Sequence, residues 1–119
     1  MPGTAEGEGT MSTVEDASSD TEFDAALASN GALIADFYTP SCTLCRKIEP
    51  MLGALENSME GQLRVVKVNA EANPELAARY AVRGVPTLVL LRDAEVVDRK
   101  SGFMTASMLK EWVRPHLNQ

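Results

Sequence analysis

The chain has 119 residues, a mass of 12.8 kDa and 45% apolar residues, which suits one compact domain and is too short for two ordinary ones. Its two cysteines are too few for a disulfide-dense scaffold, so the fold must rest on apolar packing, and the pair reads as chemical rather than structural. The formal net charge of −6 belongs to one end: residues 1–24 hold seven acids and no Lys or Arg, leaving ten acids against eleven bases in a remainder without the basic stripe and aromatic interleaving of a nucleic-acid binder.

Residues 1–18 are dominated by Gly, Thr, Ser and Glu, with Met11 and Val14 as the candidate anchors. So little apolar surface does not offset the entropy of ordering, and a disordered acidic arm is expected ahead of a domain over 19–119. The arm lacks the basic and continuous apolar regions of a secretory signal, and no later apolar run approaches membrane-spanning length. A cytoplasmic location without membrane association is therefore expected. Ser19 and Glu22 form a capping-box pattern, and Phe23 and Leu27 fall four apart, which predicts a helix over 20–29 stopped by Asn30-Gly31. Ala32–Tyr38 is a nearly continuous apolar run of strand length, suited to a central strand buried on both faces, with Asp36 as its one acid.

From Cys45 onward, Ile48, Met51 or Leu52, Leu55 and Met59 recur at helical spacing, so a helix starts within or just after the cysteine pair and ends near Glu60-Gly61. Pro50 lies inside it and is expected to kink it after the first turn. Leu63–Asn69 reads as the next strand. Asn73-Pro74-Glu75 supplies an N-cap, a first-turn proline and an acid for a helix through Tyr80. Segments 86–92 and 95–100 flank Asp93-Ala94 and form an antiparallel hairpin, after which Thr105 caps a last helix with Met108 or Leu109 and Trp112 or Val113 inward. The order of elements is α/β, a mixed sheet covered by helices on both sides.

The chemistry centres on Ser41-Cys42-Thr43-Leu44-Cys45. A dithiol exchanger needs one accessible thiolate to attack a disulfide and a second thiol to release the mixed disulfide. Cys42 stands at the predicted start of a helix, where free amides and the helix dipole stabilise a thiolate, and Arg46 and Lys47 add positive charge one turn on. Cys45, inside the first turn, is the shielded resolving thiol. Zinc needs two further soft or imidazole ligands, and the one histidine, His116, is remote in sequence. No metal or organic cofactor is expected, with a zinc or iron–sulfur site shared across a dimer as the alternative.

From Phe23 to Leu117 the sequence resembles the thioredoxin family. Asp36-Phe37, the Cys42 and Cys45 pair, Arg46, Pro50, Lys67-Val68-Asn69, Asn73-Pro74, Arg83-Gly84-Val85-Pro86-Thr87 and Gly102 follow the family's pattern in order. The resemblance implies a thioredoxin fold, with a central sheet of four to five strands. It further implies a cis Pro86 facing the cysteines, with Val85 offering backbone groups to an extended substrate and Gly84 and Gly102 keeping the rim low. Asp36 is implied to be a buried carboxylate with a raised pKa that relays the proton of Cys45, with Lys67 as its neighbour. The implied activity is thiol-disulfide exchange with disulfide-containing proteins by a monomer recharged by a thioredoxin-reductase-like donor. The alternative is a binding module or adaptor of the same fold with weak redox turnover.

The segment departs from the family where it is most functional. The family's Trp-Cys-Gly-Pro-Cys is here Ser41 to Cys45 with Thr43 and Leu44 between the cysteines, so an aromatic contact surface beside Cys42 is missing. Ser41, Thr43 and Leu44 are the residues expected to meet substrate there. The Thr43 hydroxyl and the added helix-forming character are expected to stabilise the Cys42 thiolate and shift the couple towards oxidant. The family's first strand has a poor candidate in residues 11–16 and is expected to be frayed or absent.

Overall fold

The apolar run Ala32–Tyr38 is the middle strand of a five-stranded sheet, with its first six residues buried. The computed structural model describes residues 15–16, 20–27, 31–59 and 61–117. In chain order these form β1 (Glu15–Asp16), α1 (Asp20–Leu27), β2 (Ala32–Tyr38), α2 (Thr43–Ser58), β3 (Leu63–Asn69), α3 (Pro74–Arg79), β4 (Thr87–Arg92), β5 (Glu95–Ser101) and α4 (Ala106–Leu117). The sheet order is β1-β3-β2-β4-β5. β3 runs parallel to β1 and β2, while β4 is antiparallel to β2 and β5.

Alternation along the strands divides the core into two layers. Ala32 and Ile34 pack with Val65, Leu88 and Leu90 beneath Ile48, Leu52 and Leu55 of α2 and Leu109, Trp112 and Val113 of α4. On the other face Leu33, Ala35 and Phe37 meet Phe23 of α1, Leu76 of α3 and Tyr80. The Phe23 and Tyr80 rings meet edge to face with centroids 5.6 Å apart. Each fully buried Leu or Ile contributes about 1.5–3 kcal/mol relative to exposure, so the two layers supply the stability that two cysteines cannot.

Polar bonds fix the elements to one another. Glu56 of α2 accepts from the Val65 amide at 3.0 Å, tying that helix to β3. Trp112 of α4 donates to Asp98 Oδ2 of β5 at 2.8 Å. The hairpin turns through Asp93 and Ala94, both at positive φ (53° and 70°), the conformation whose twist matches paired strands. A register shift falls between Leu90 and Leu91.

Several expectations are refined. β1 exists as a two-residue edge, paired with Val66 and Lys67, inside the segment read as an arm. The remainder of that arm, the Ser19 cap and the Asn30 stop lie outside the described residues. α2 continues through Pro50 as one element. Asn73 occupies the N-cap of α3, but its side chain makes no capping bond. Instead Asn73 Nδ2 donates to the Asn69 carbonyl at 3.0 Å, because Asn69 organises the turn by accepting from the Glu71 and Ala72 amides through Oδ1. Thr105 Oγ1 does cap α4, accepting from Met108 N at 3.2 Å, and Leu109, Trp112 and Val113 face inward while Met108 is exposed.

Candidate active site

The residues that follow β2 make a tight turn before α2 begins. Cys42 N donates to the Thr39 carbonyl at 3.2 Å, and Arg46 Nη1 donates to the Pro40 carbonyl at 2.6 Å. Cys42 is then the N-cap of α2, with extended backbone (φ −83°, ψ 111°), and its Sγ accepts from the Cys45 amide at 3.0 Å. A helix start leaves its first amides without intrahelical acceptors, and here one of them points at a sulfur. Cys42 and Cys45 form a disulfide, with Cα atoms 5.2 Å apart. The two sulfurs are not equivalent: Cys45 is 4% exposed, whereas Cys42 is half-buried. Ser41, Thr43 and Leu44 are exposed around them.

The register of β2 with β4 pairs Phe37 with Thr87, so the segment preceding β4 lies beside the end of β2 from which the cysteine turn emerges. The Val85–Pro86 bond is cis, as the resemblance implies. Pro86 is buried and Val85 half-buried, and Thr87 Oγ1 donates to the Gly84 carbonyl at 2.6 Å. Gly102 closes this segment from the other side, donating its amide to Pro86 O at 3.3 Å with φ at +89°, a region that favours glycine. A side chain at Gly84 would meet nothing within 4 Å, so the rim is open there. Thr39, Gly84 and Val85 share the wall of a cavity of about 340 Å³ with Pro74 and Ala77.

Asp36 is 1% exposed and, by alternation with Ala32 and Ile34, lies on the sheet face covered by α2. Lys67 is its register partner in β3. The Lys67 ammonium, however, sits 3.1 Å from Glu49 Oε2 and 4.7 Å from the centroid of the Tyr38 ring. Cys45, Arg46, Glu49, Tyr38 and Lys67 together line a cavity of about 220 Å³. Cys42, Cys45, Asp36 and Lys67 stand out in the sequence, whereas Glu49 does not. The one signal for Glu49 is its position four residues after Cys45, on the same helical face. Among the described residues, no group of three or more His, Cys, Asp or Glu side chains is arranged to hold a metal ion, and no helix is long and apolar enough to cross a membrane.

A family model described as Thioredoxin matches residues 14–115. A thioredoxin of Bacillus subtilis is 40% identical over 92 residues, covering 77% of this chain and 88% of the relative. Among solved structures, a point mutant of a thioredoxin from Halobacterium salinarum superposes with a TM-score of 0.81 at 32% identity, covering 93% of this chain and 96% of that one. The thioredoxin of Fasciola hepatica does so with a TM-score of 0.78 at 28% identity, over 87% and 99% of the two chains.

Proposed function

The chain belongs to the thioredoxin family, and from that premise we propose that it is a thiol-disulfide oxidoreductase acting on protein disulfides through Cys42 and Cys45. The observation that carries this reading is the asymmetry of the pair. Cys42 is the more exposed sulfur and receives the Cys45 amide at 3.0 Å, while Cys45 is buried behind it. A donor aimed at sulfur favours the thiolate, the form that attacks.

In the reduced protein Cys42 attacks one sulfur of a substrate disulfide. A bond forms between Cys42 and that sulfur, the substrate S–S bond breaks, and the departing thiolate takes a proton. Cys45 then loses its proton and attacks Cys42 Sγ, forming the intramolecular disulfide and expelling the second substrate thiolate, which is protonated in turn. Asp36 is the acceptor for the Cys45 proton in this reading, since its burial disfavours the charged carboxylate and suits it to hold a proton. Lys67 is the nearby positive charge. Ser41, Thr43 and Leu44 on one side and Val85, Pro86 and Gly102 on the other are the contact surface for an extended substrate segment. Two electrons and two protons from a separate reductase of the thioredoxin-reductase kind restore the dithiol, and a reducing compartment such as the cytoplasm suits that cycle.

The altered Ser41 to Cys45 segment favours a second reading, an adaptor of the same fold that binds without turning over. Trapping separates them. Cys45→Ser, mixed with insulin, accumulates a mixed disulfide through Cys42 on a non-reducing gel, and Cys42→Ser does not. Absence of a mixed disulfide with Cys45→Ser sinks the oxidoreductase reading.

A further inference from the structure

Cys45 and Glu49 are four residues apart on α2, which places both on the face of the helix that borders the 220 Å³ cavity. The opposite wall is β3, and its Lys67 reaches across to Glu49 at 3.1 Å while resting on the face of Tyr38. Arg46 also lines the cavity, but its guanidinium is directed to the Pro40 carbonyl at 2.6 Å. Asp36 lies on the same sheet face, register-paired with Lys67. Among the described residues, the charged groups that line the cavity with Cys45 are Arg46 and Glu49 from its own helix and Lys67 from β3, with Asp36 of β2 beside Lys67. Lys67 is 20% exposed and Glu49 38%, so solvent screens the pair only in part.

We propose that Glu49 is a positioning residue for the resolving half of the exchange: it holds the Lys67 ammonium at the cavity wall and offsets its charge there, which keeps the Cys45 thiol protonated until a mixed disulfide has formed on Cys42. This rests on the reading of Cys45 as the resolving thiol. An uncompensated ammonium beside Cys45 favours its thiolate, and an uncompensated carboxylate opposes it. With the two paired, the resting dithiol carries its thiolate on Cys42, where the Cys45 amide points, rather than two adjacent negative sulfurs. In the resolving step the Cys45 proton passes to Asp36, the Cys45 sulfur bonds to Cys42 Sγ, and the electron pair of the broken Cys42–substrate bond leaves on the substrate sulfur. No further oxidant or reductant enters.

The test is the pH dependence of iodoacetamide alkylation in the full chain carrying Cys42→Ser, where Cys45 is the one thiol. Adding Glu49→Gln moves the midpoint to lower pH and makes alkylation at neutral pH about threefold faster, the scale of one partly screened surface charge. Adding Lys67→Gln moves the midpoint up and slows alkylation by a similar factor, and the double substitution returns close to the parent. Unchanged midpoints, or both single substitutions shifting in the same direction as loosened packing would make them, overturn the proposal. Thermal melts of each variant separate folding loss from charge effects. The readout needs no substrate, so a failure here leaves the trapping result with Cys45→Ser standing, and a failure of trapping leaves these midpoints interpretable.

Discussion

The backbone amide of Cys45 points at the sulfur of Cys42 from 3.0 Å, so the buried cysteine of the disulfide presents a main-chain donor to the half-buried one. That relationship is produced by the start of α2 at Thr43, which makes Cys42 the N-cap and its sulfur the acceptor that a Ser or Asp oxygen supplies at other helix starts.

In the reduced protein, Cys42 is alkylated with a midpoint below that of a free thiol, and before Cys45. Peptide-resolved mass spectrometry after iodoacetamide pulses at a series of pH values measures both. Equal midpoints for the two cysteines contradict the asymmetry.

The pair between the cysteines occupies the first turn of α2, where both residues are exposed and proline is tolerated. Converting it by Thr43→Gly with Leu44→Pro removes the hydroxyl and the helix-forming side chains that are expected to stabilise the Cys42 thiolate. The potential, measured by equilibration with glutathione, falls by about 30 mV, equivalent to about 1.4 kcal/mol. A rise in potential shows that Thr43 and Leu44 do not hold the couple towards oxidant.

Gly102 has φ at +89° while its amide bonds to Pro86 O, and a Cβ there meets nothing within 4 Å. Gly102→Ala thus costs backbone strain rather than collision, about 1–2 kcal/mol in urea unfolding. The same substitution loosens the rim at Pro86 and lowers activity towards protein substrates more than towards a small disulfide such as the Ellman reagent.

The indole of Trp112 donates to Asp98, and with the Arg99 amide this holds the Asp98 carboxyl below its ordinary 3.8. A carboxyl with a depressed folded pKa contributes stability above the unfolded value and loses it as pH falls through the folded one. Asp98→Asn is therefore less stable than the parent at neutral pH, and the gap closes as pH drops below about 3.8. Asp98 is half-exposed, so the effect is small. Urea curves followed by the fluorescence of the one tryptophan resolve it; a gap that widens in acid has the wrong sign.

The strands legible in the sequence were those whose own side chains demand burial. Ala32–Tyr38 and Leu63–Asn69 carry apolar runs or alternation, and their bounds were readable directly. β1 was not, because Glu15–Asp16 has no apolar signal and is a strand through its pairing with β3. The cysteine pair and its helix start were visible as local features, whereas the cis Val85–Pro86 segment was legible only through the family resemblance. Glu49 was missed for the opposite reason: a helix-surface acid becomes part of a site only when β3 brings Lys67 to it. Asp36 and Lys67 are neighbours through strand register, and the Lys67 ammonium also meets Glu49.

The central claim is that Cys42 and Cys45 turn over protein disulfides, and insulin reduction by dithiothreitol tests it most directly. The account predicts that the parent chain accelerates precipitation of the insulin B chain well above the dithiothreitol background and that Cys42→Ser abolishes the acceleration. A parent rate equal to the background, with the fold intact, would contradict it.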